Sequence, residues 1–268
     1  MAMTAAHLEE LKQAHQLLEN PGFAIRAANV LGKPLEFVLE QLPSAGRTAI
    51  ATATEKALRV TLDGAVATME NKQDEESPIL HKVFATVTGA AGGFFGLAAL
   101  PIELPISTGV IFRSIADVAR ANGEDLDEAE VKLECLKVFA MGGPSPSDDA
   151  SETGYLAVRA SMARLVTEAA DYLAAHAVAE EAAPVLARLI AAIAARFQVQ
   201  VAEKVAAQAV PVIGAIAGGS INYLFVSHFQ EMSRGHFTFR RLSRLYGVDE
   251  VTKQYRALNA SAPAAETA

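Results

Sequence analysis

VFATVTGAAGGFFGLAALPIELPISTGVIF, residues 83–112, holds a single charged side chain, Glu103. VAAQAVPVIGAIAGGSINYLFVSHF, residues 205–229, holds no Asp, Glu, Lys or Arg. Neither stretch alternates apolar and polar residues as a half-buried strand does. Both are long enough for central helices, each with a double glycine inside the apolar run. They predict an all-α fold: one domain of about nine to eleven helices around two Gly-rich apolar helices.

Two readings of these stretches stay open. Val83–Ile102 and Val205–Ser227 both reach the roughly 20 apolar residues that a membrane span needs. Gly89/Gly93, Gly92/Gly96 and Gly214/Gly218 are small-xxx-small pairs of the kind found where membrane helices meet. Against this, much of the apolar count is Ala and Gly, and Gln208, Pro211, Ser220 and Asn222 interrupt the second stretch. The other reading is a pair of helices apolar all round because they are covered all round.

The flanks read as a helical shell. Residues 4–19 form a polar helix stopped by Asn20-Pro21-Gly22, and 23–41 hold helical pieces broken at Pro34. Ser44 starts a helix running to about Glu70, followed by a charged linker, Asn71–Pro78. Pro101 and Pro105 predict a bend, with one helix ending near Leu100 and the next running from about Pro105 to Ala121. Gly123 stops that helix, and Asp127 with Glu130 is a capping-box-like start for VKLECLKVFAMGG. Residues 144–154 are a loop, and an Ala-rich helical region covers 155–209, with a new start at Pro184. NASAPAAETA at the C-terminus carries no core signal.

Composition narrows the function. The 268 residues carry 23 basic and 31 acidic side chains, for a net charge of −8. That argues against general nucleic-acid binding, which draws its affinity from clustered cations. One cysteine, Cys135, excludes an internal disulfide or a multi-Cys zinc site. It sits at helical spacing with Val131, Val138 and Phe139 and reads as core. The N-terminus lacks a secretory or transit pattern, which points to a cytoplasmic address. There is no GxSxG, no phosphate-binding glycine loop and no HExxH, and Gly123–Glu134 lacks the turn glycine of a calcium loop.

The polar residues inside or beside the apolar stretches are the candidates. Glu103 must be paired, solvated or protonated; its plainest role is a carboxylate at a helix N-terminus beyond the bend. Arg113 and Asp117 have ion-pair spacing, and Arg113 is the alternative neutraliser of Glu103 or of a ligand's anionic head. Asn222 and His228 lie on the second stretch. His228, Glu231 and His236 make a weak metal set, dependent on the helix passing Gly235. Arg234, His236, Arg240, Arg241 and Arg244 form a basic cluster among Phe237, Phe239 and Leu242. It serves either as a surface pairing with acids such as Glu124, Asp125, Asp127 and Glu128, or as an anionic lipid contact.

Three motifs together resemble the EcsC protein family: GLAALPIELPISTGVIFRSIADVARANGEDL (96–126), VKLECLKVFAMGG (131–143) and VPVIGAIAGGSINYLFVSHFQEMSRGHFTFRRLSRLYG (210–247). The resemblance implies an EcsC-like helical domain over 43–250, an N-terminal helical extension over 1–42 and a partly disordered tail over 251–268. It also implies a bacterial protein associated with an ABC transporter, with no activity, catalytic residue or cofactor to carry over.

The expected function is a membrane-peripheral protein at the inner face of the cell membrane. It would bind an anionic amphiphile or a membrane partner such as the transporter, with Arg113, Arg234, His236, Arg240, Arg241 and Arg244 as ligand contacts. The rival is an enzyme of unassigned class, with hydrolysis the first chemistry to test. That reading requires Glu103, Asp117, Asn222, His228 and His236 to converge around a cavity.

Overall fold

Thr4 opens the first helix by accepting a hydrogen bond from the His7 backbone N–H at 3.2 Å, so the chain turns helical as soon as a cap is available. The computed structural model describes residues 3–19, 22–31, 39–40, 42–70, 96–142, 154–176, 183–209 and 216–261. Among these the helices are α1 (Ala5–Leu18), α2 (Phe23–Leu31), α3 (Ser44–Glu70), α4 (Gly96–Ala121) and α5 (Ala129–Lys137). A 3-10 turn, Val138–Ala140, extends α5, and α6 (Gly154–Ala175), α7 (Pro184–Ala209), α8 (Ile216–Tyr246) and α9 (Val248–Ser261) follow. No strand occurs among the described residues. The fold is all-α.

The expected break at Pro101 and Pro105 is absent: both prolines lie inside one continuous α4. Each removes only one backbone donor. Being four residues apart, they share a side of the helix, on which Pro101 faces solvent and Pro105 is half-buried. Lost or lengthened bonds are best tolerated there, because solvent-side carbonyls can turn to water. Glu103 is therefore an interior helix residue and not a helix-start carboxylate. The stop at Gly123 is as expected. Its φ of +76° lets the Glu124 N–H reach the Ala119 carbonyl at 3.1 Å and its own N–H reach Arg120 at 3.0 Å.

The capping box expected from Asp127 and Glu130 does not form. Glu128 precedes α5 without a side-chain cap, and Asp125 accepts from the Asp127 N–H at 2.9 Å, closing a local turn that competes with it. Of the stretch Val205–Ser227, residues 205–209 belong to α7 and 216–227 to α8, and residues 210–215 lie outside the described residues. The linker 71–78, most of the loop 144–154 and Gly89–Gly93 lie outside the described residues. Within the expected C-terminal tail, residues 251–261 are helical, and Val251 and Tyr255 are fully buried.

α8 is the axis, packing against α1, α2, α4, α7 and α9. Its buried side carries Ile221, Phe225, Phe229, Met232, His236 and Phe239 at steps of three and four. Phe23, Phe139, Phe197, Phe225 and Phe229 meet there with ring centroids 4.9–6.3 Å apart, mostly tilted or edge-to-face. Each buried phenyl is worth about 1.5–3 kcal/mol over an exposed one. Gly235 lets α1 approach: a Cβ there would stand 2.5 Å from Leu18 Cγ and 3.0 Å from the Ala14 carbonyl oxygen.

α4 and α8 run parallel. Gln230 donates to Ser114 Oγ at 2.9 Å, and further along both helices Arg241 reaches Asn122 at 3.4 Å. The N-terminal ends of α4 and α8 therefore point the same way. The C-terminal part of α7 joins them there, because Lys204 contacts Glu103 of α4 and the Phe225 ring of α8.

Candidate functional site

The basic cluster is internally paired. Arg240 bonds Glu124 at 3.1 Å and Glu130 at 3.2 Å and lies 3.5 Å from Glu134. Arg244 bonds Glu124 and donates to the Asn122 carbonyl at 2.8 Å. Arg241 turns to Glu10 of α1 and to Asn122. Of the acids named as partners from the sequence, Glu124 is the one that serves. Asp125 and Asp127 lie near Lys132. Arg234 is exposed. Three arginines expected to hold an anionic head thus already donate to carboxylates, and a ligand would have to displace these.

Beneath them lies a buried polar centre that the sequence reading did not assign. Glu134 accepts from Lys137 at 2.5 Å and meets His236 Nε2 at 2.8 Å, while Tyr155 Oη is 3.1 Å from His236 Nδ1. Lys137 is 2% exposed and His236 fully buried. Burial alone would raise the Glu134 carboxyl's pKa. Lys137, the His236 hydrogen bond and Arg240 overcome it and hold the group well below the usual carboxylate range. Burial pushes His236 down to about 4, against the pull of Glu134, so the imidazole is neutral at pH 7. With that imidazole neutral, Glu124, Glu130 and Glu134 balance Lys137, Arg240 and Arg244. A legible signal existed: Lys132, Glu134 and Lys137 are charges inside an otherwise apolar helical run.

His228 belongs to a different cluster. Arg26 of α2 donates to its Nδ1 at 3.1 Å and to Glu231 at 2.6 Å. The ring packs against Gly142, whose φ of +75° and lack of a side chain make room: a Cβ would fall 2.4 Å from His228 Cε1. Burial and then Arg26 push this imidazole down to about 4. The helix does pass Gly235, yet His228 and Glu231 share Arg26 while His236 turns to Glu134 and Tyr155. The set His228, Glu231, His236 does not converge on a metal. Among the described residues, no group of three or more His, Cys, Asp or Glu is arranged to hold one.

The remaining candidates scatter too. Asp117 is exposed and pairs with Arg120 at 3.0 Å, not with Arg113. Arg113 is exposed on α4, ten residues or about 15 Å of helix from Glu103. Asn222 is half-buried at the start of α8. Surface depressions between α1 and α9 and between α3 and α7 contain none of these side chains. The structure thus does not assemble Glu103, Asp117, Asn222, His228 and His236 into one site. Cys135 is buried beside Glu134, and burial with that carboxylate pushes its thiol up, which makes it inert.

Glu103 pairs with Lys204 at 2.9 Å. The lysine is 5% exposed and the carboxylate 37%. Lys204 Nζ also lies 5.0 Å from the Phe225 ring centroid. Lys204 was legible in one respect: it is the last charge before the uncharged run 205–229, as Glu103 is the lone charge of 83–112. Near the N-terminal ends of α4 and α8, Ile102 and Tyr223 are 72% and 73% exposed. The end of the bundle at which α4 and α8 begin thus carries two exposed apolar side chains and the Glu103–Lys204 pair. Among the described residues, α7 is the one helix long and apolar enough to cross a membrane, and half of its apolar window is buried within the bundle.

No curated protein and no solved structure matches this chain. The model of the EcsC protein family matches residues 5–242, from α1 through most of α8. The chain belongs to the EcsC protein family.

Proposed function

We propose that this protein is a membrane-peripheral binding protein that meets the bilayer with the end of the bundle at which α4 and α8 begin. The observation that carries this reading is the exposure of Ile102 and Tyr223, each within the first two turns of its helix at this shared end. The sequence adds weight: the uncharged residues 83–95 and 210–215 lead into Gly96 and Ile216 at this same end. Tyrosine suits such a place, being apolar along its ring and polar at its tip. The internal pairing of Arg240, Arg241 and Arg244 moves the contact away from the opposite end of α8. The proposal includes the cytoplasmic, inner-face address expected from the sequence.

Flotation with phosphatidylcholine vesicles tests it. Full burial of an isoleucine or an aromatic side chain is worth about 1.5–3 kcal/mol. Half of that at both positions is a roughly tenfold to hundredfold gain in partitioning. The double variant Ile102→Glu, Tyr223→Glu should lose that factor while its helical circular dichroism and Tm stay unchanged. Equal flotation of parent and variant would overturn the reading, as would a parent chain that does not float.

A further inference from the structure

Pro43 stands at the head of α3, its carbonyl accepting the Arg47 N–H at 3.1 Å. Just before it the chain makes a turn, closed by the Leu42 N–H on the Leu39 carbonyl at 3.2 Å. Turn and helix leave a groove of about 410 Å³ against the C-terminal half of α7. Its lining is apolar over Leu39, Leu42, Ile50, Val199 and Ala202, with Ile50 buried and the others half-buried. That volume lies at the small end of the roughly 300–1,000 Å³ of small-molecule sites, room for one acyl chain and not for the two of a phospholipid. Arg47 is exposed in the same lining. Unlike Arg240, Arg241 and Arg244, it has no carboxylate partner among the described residues. Its Nε donates to the Leu42 carbonyl at 3.2 Å and its Nη2 to the Glu40 carbonyl at 3.5 Å. These neutral acceptors aim the guanidinium without cancelling its charge. Nη1 is left over, so the Nη1–Nη2 edge can present two donors to a carboxylate. Glu40, exposed in the lining, favours a singly charged head over a doubly charged phosphate. We infer that this groove binds a fatty acid, its chain on Ile50 and its carboxylate on Arg47. The site needs no bilayer and stands apart from the membrane contact proposed above.

Calorimetric titration of the full chain with sodium dodecanoate, kept below its micelle concentration and with no lipid present, tests the site. The parent chain should bind dodecanoate. Octanoate should bind more weakly, because each methylene seated in the groove is worth about fourfold. Dodecyltrimethylammonium, with the same chain and a cationic head, should bind more weakly than dodecanoate. Arg47→Gln should weaken dodecanoate about tenfold and leave dodecyltrimethylammonium no weaker. Glu40→Gln should strengthen dodecanoate. Lys12→Gln, on an exposed residue of the depression between α1 and α9, should change nothing. A parent chain that does not bind dodecanoate overturns the inference, as do equal affinities for the two heads or an unchanged affinity in folded Arg47→Gln. A loss in Lys12→Gln equal to that in Arg47→Gln overturns it too. If Arg47→Gln does not fold, the comparison of heads and Glu40→Gln decide. With no vesicle present, the result is independent of flotation, and either proposal can fall alone.

Discussion

Replacing Glu134 by Gln should destabilise this protein more than any other single charge removal, and the partners show why. Three cationic or hydrogen-bonding groups converge on the carboxylate: Lys137 at 2.5 Å, His236 at 2.8 Å and Arg240 at 3.5 Å. They do not suffer equally when it goes. Arg240 keeps Glu124 and Glu130. His236 is neutral at pH 7 and can still donate to a Gln oxygen. Lys137 loses the Glu134 carboxylate while 2% exposed, so it must either stay charged in a dry site or deprotonate against its ordinary pKa. Removing one partner of a buried ion pair costs about 3–5 kcal/mol. At roughly 2–4 °C per kcal/mol, Tm should fall by about 6–20 °C.

Thermal and urea unfolding of Glu134→Gln, Lys137→Met and the double variant separate this from a plain loss of contacts. If the cost arises from an orphaned ammonium, deleting the ammonium as well should restore much of the stability. A buried pair replaced by apolar groups of similar size is often neutral. The double-mutant cycle should then give a coupling of about 1–3 kcal/mol. A loss below about 1 kcal/mol in Glu134→Gln, or strict additivity in the cycle, would refute the idea that Glu134 is the obligatory counter-charge of this core.

His228 and His236 titrate near 4 in the folded chain against an ordinary 6.5, so between these values the unfolded chain binds more protons. Stability should therefore be complete above about pH 6.5 and fall as pH drops towards 4, by up to about 3 kcal/mol per histidine, and a His236→Gln variant should show a flatter Tm profile in this window. Gly235→Ala should lower stability by about 1–3 kcal/mol, because the clash with Leu18 and the Ala14 carbonyl outweighs the ~1 kcal/mol helix-propensity gain. Adding Leu18→Ala should relieve part of that clash, and a more stable Gly235→Ala chain would show that α1 does not sit closely on α8.

The helical class was legible because it depends on local periodicity and on caps. Thr4, Ser44, Pro184 and Gly123 mark boundaries that the chain obeys within a few residues. What failed was local reasoning applied where neighbours decide. Pro101 and Pro105 are breakers in isolation, yet solvent on one side of α4 lets the helix continue through them. Arg113 and Asp117 have a good pairing interval, yet Asp117 takes Arg120, because i+3 and i+4 partners compete on any helix face. The basic run 234–244 reads in sequence either as a surface pairing with acids such as Glu124 or as a ligand contact; Arg240 and Arg244 do take Glu124, whereas Glu10, Glu130 and Glu134 leave no trace in the spacing of the run. The charge pattern itself held the better clue. A chain that confines its charges so strictly must bring the survivors together, and the lone Glu103 of one apolar stretch meets Lys204 at the border of the other. That contact joins residues 101 positions apart and orients α4, α7 and α8 at a common end. Isolated charges in apolar stretches should therefore be read as pairs awaiting each other before they are read as catalysts.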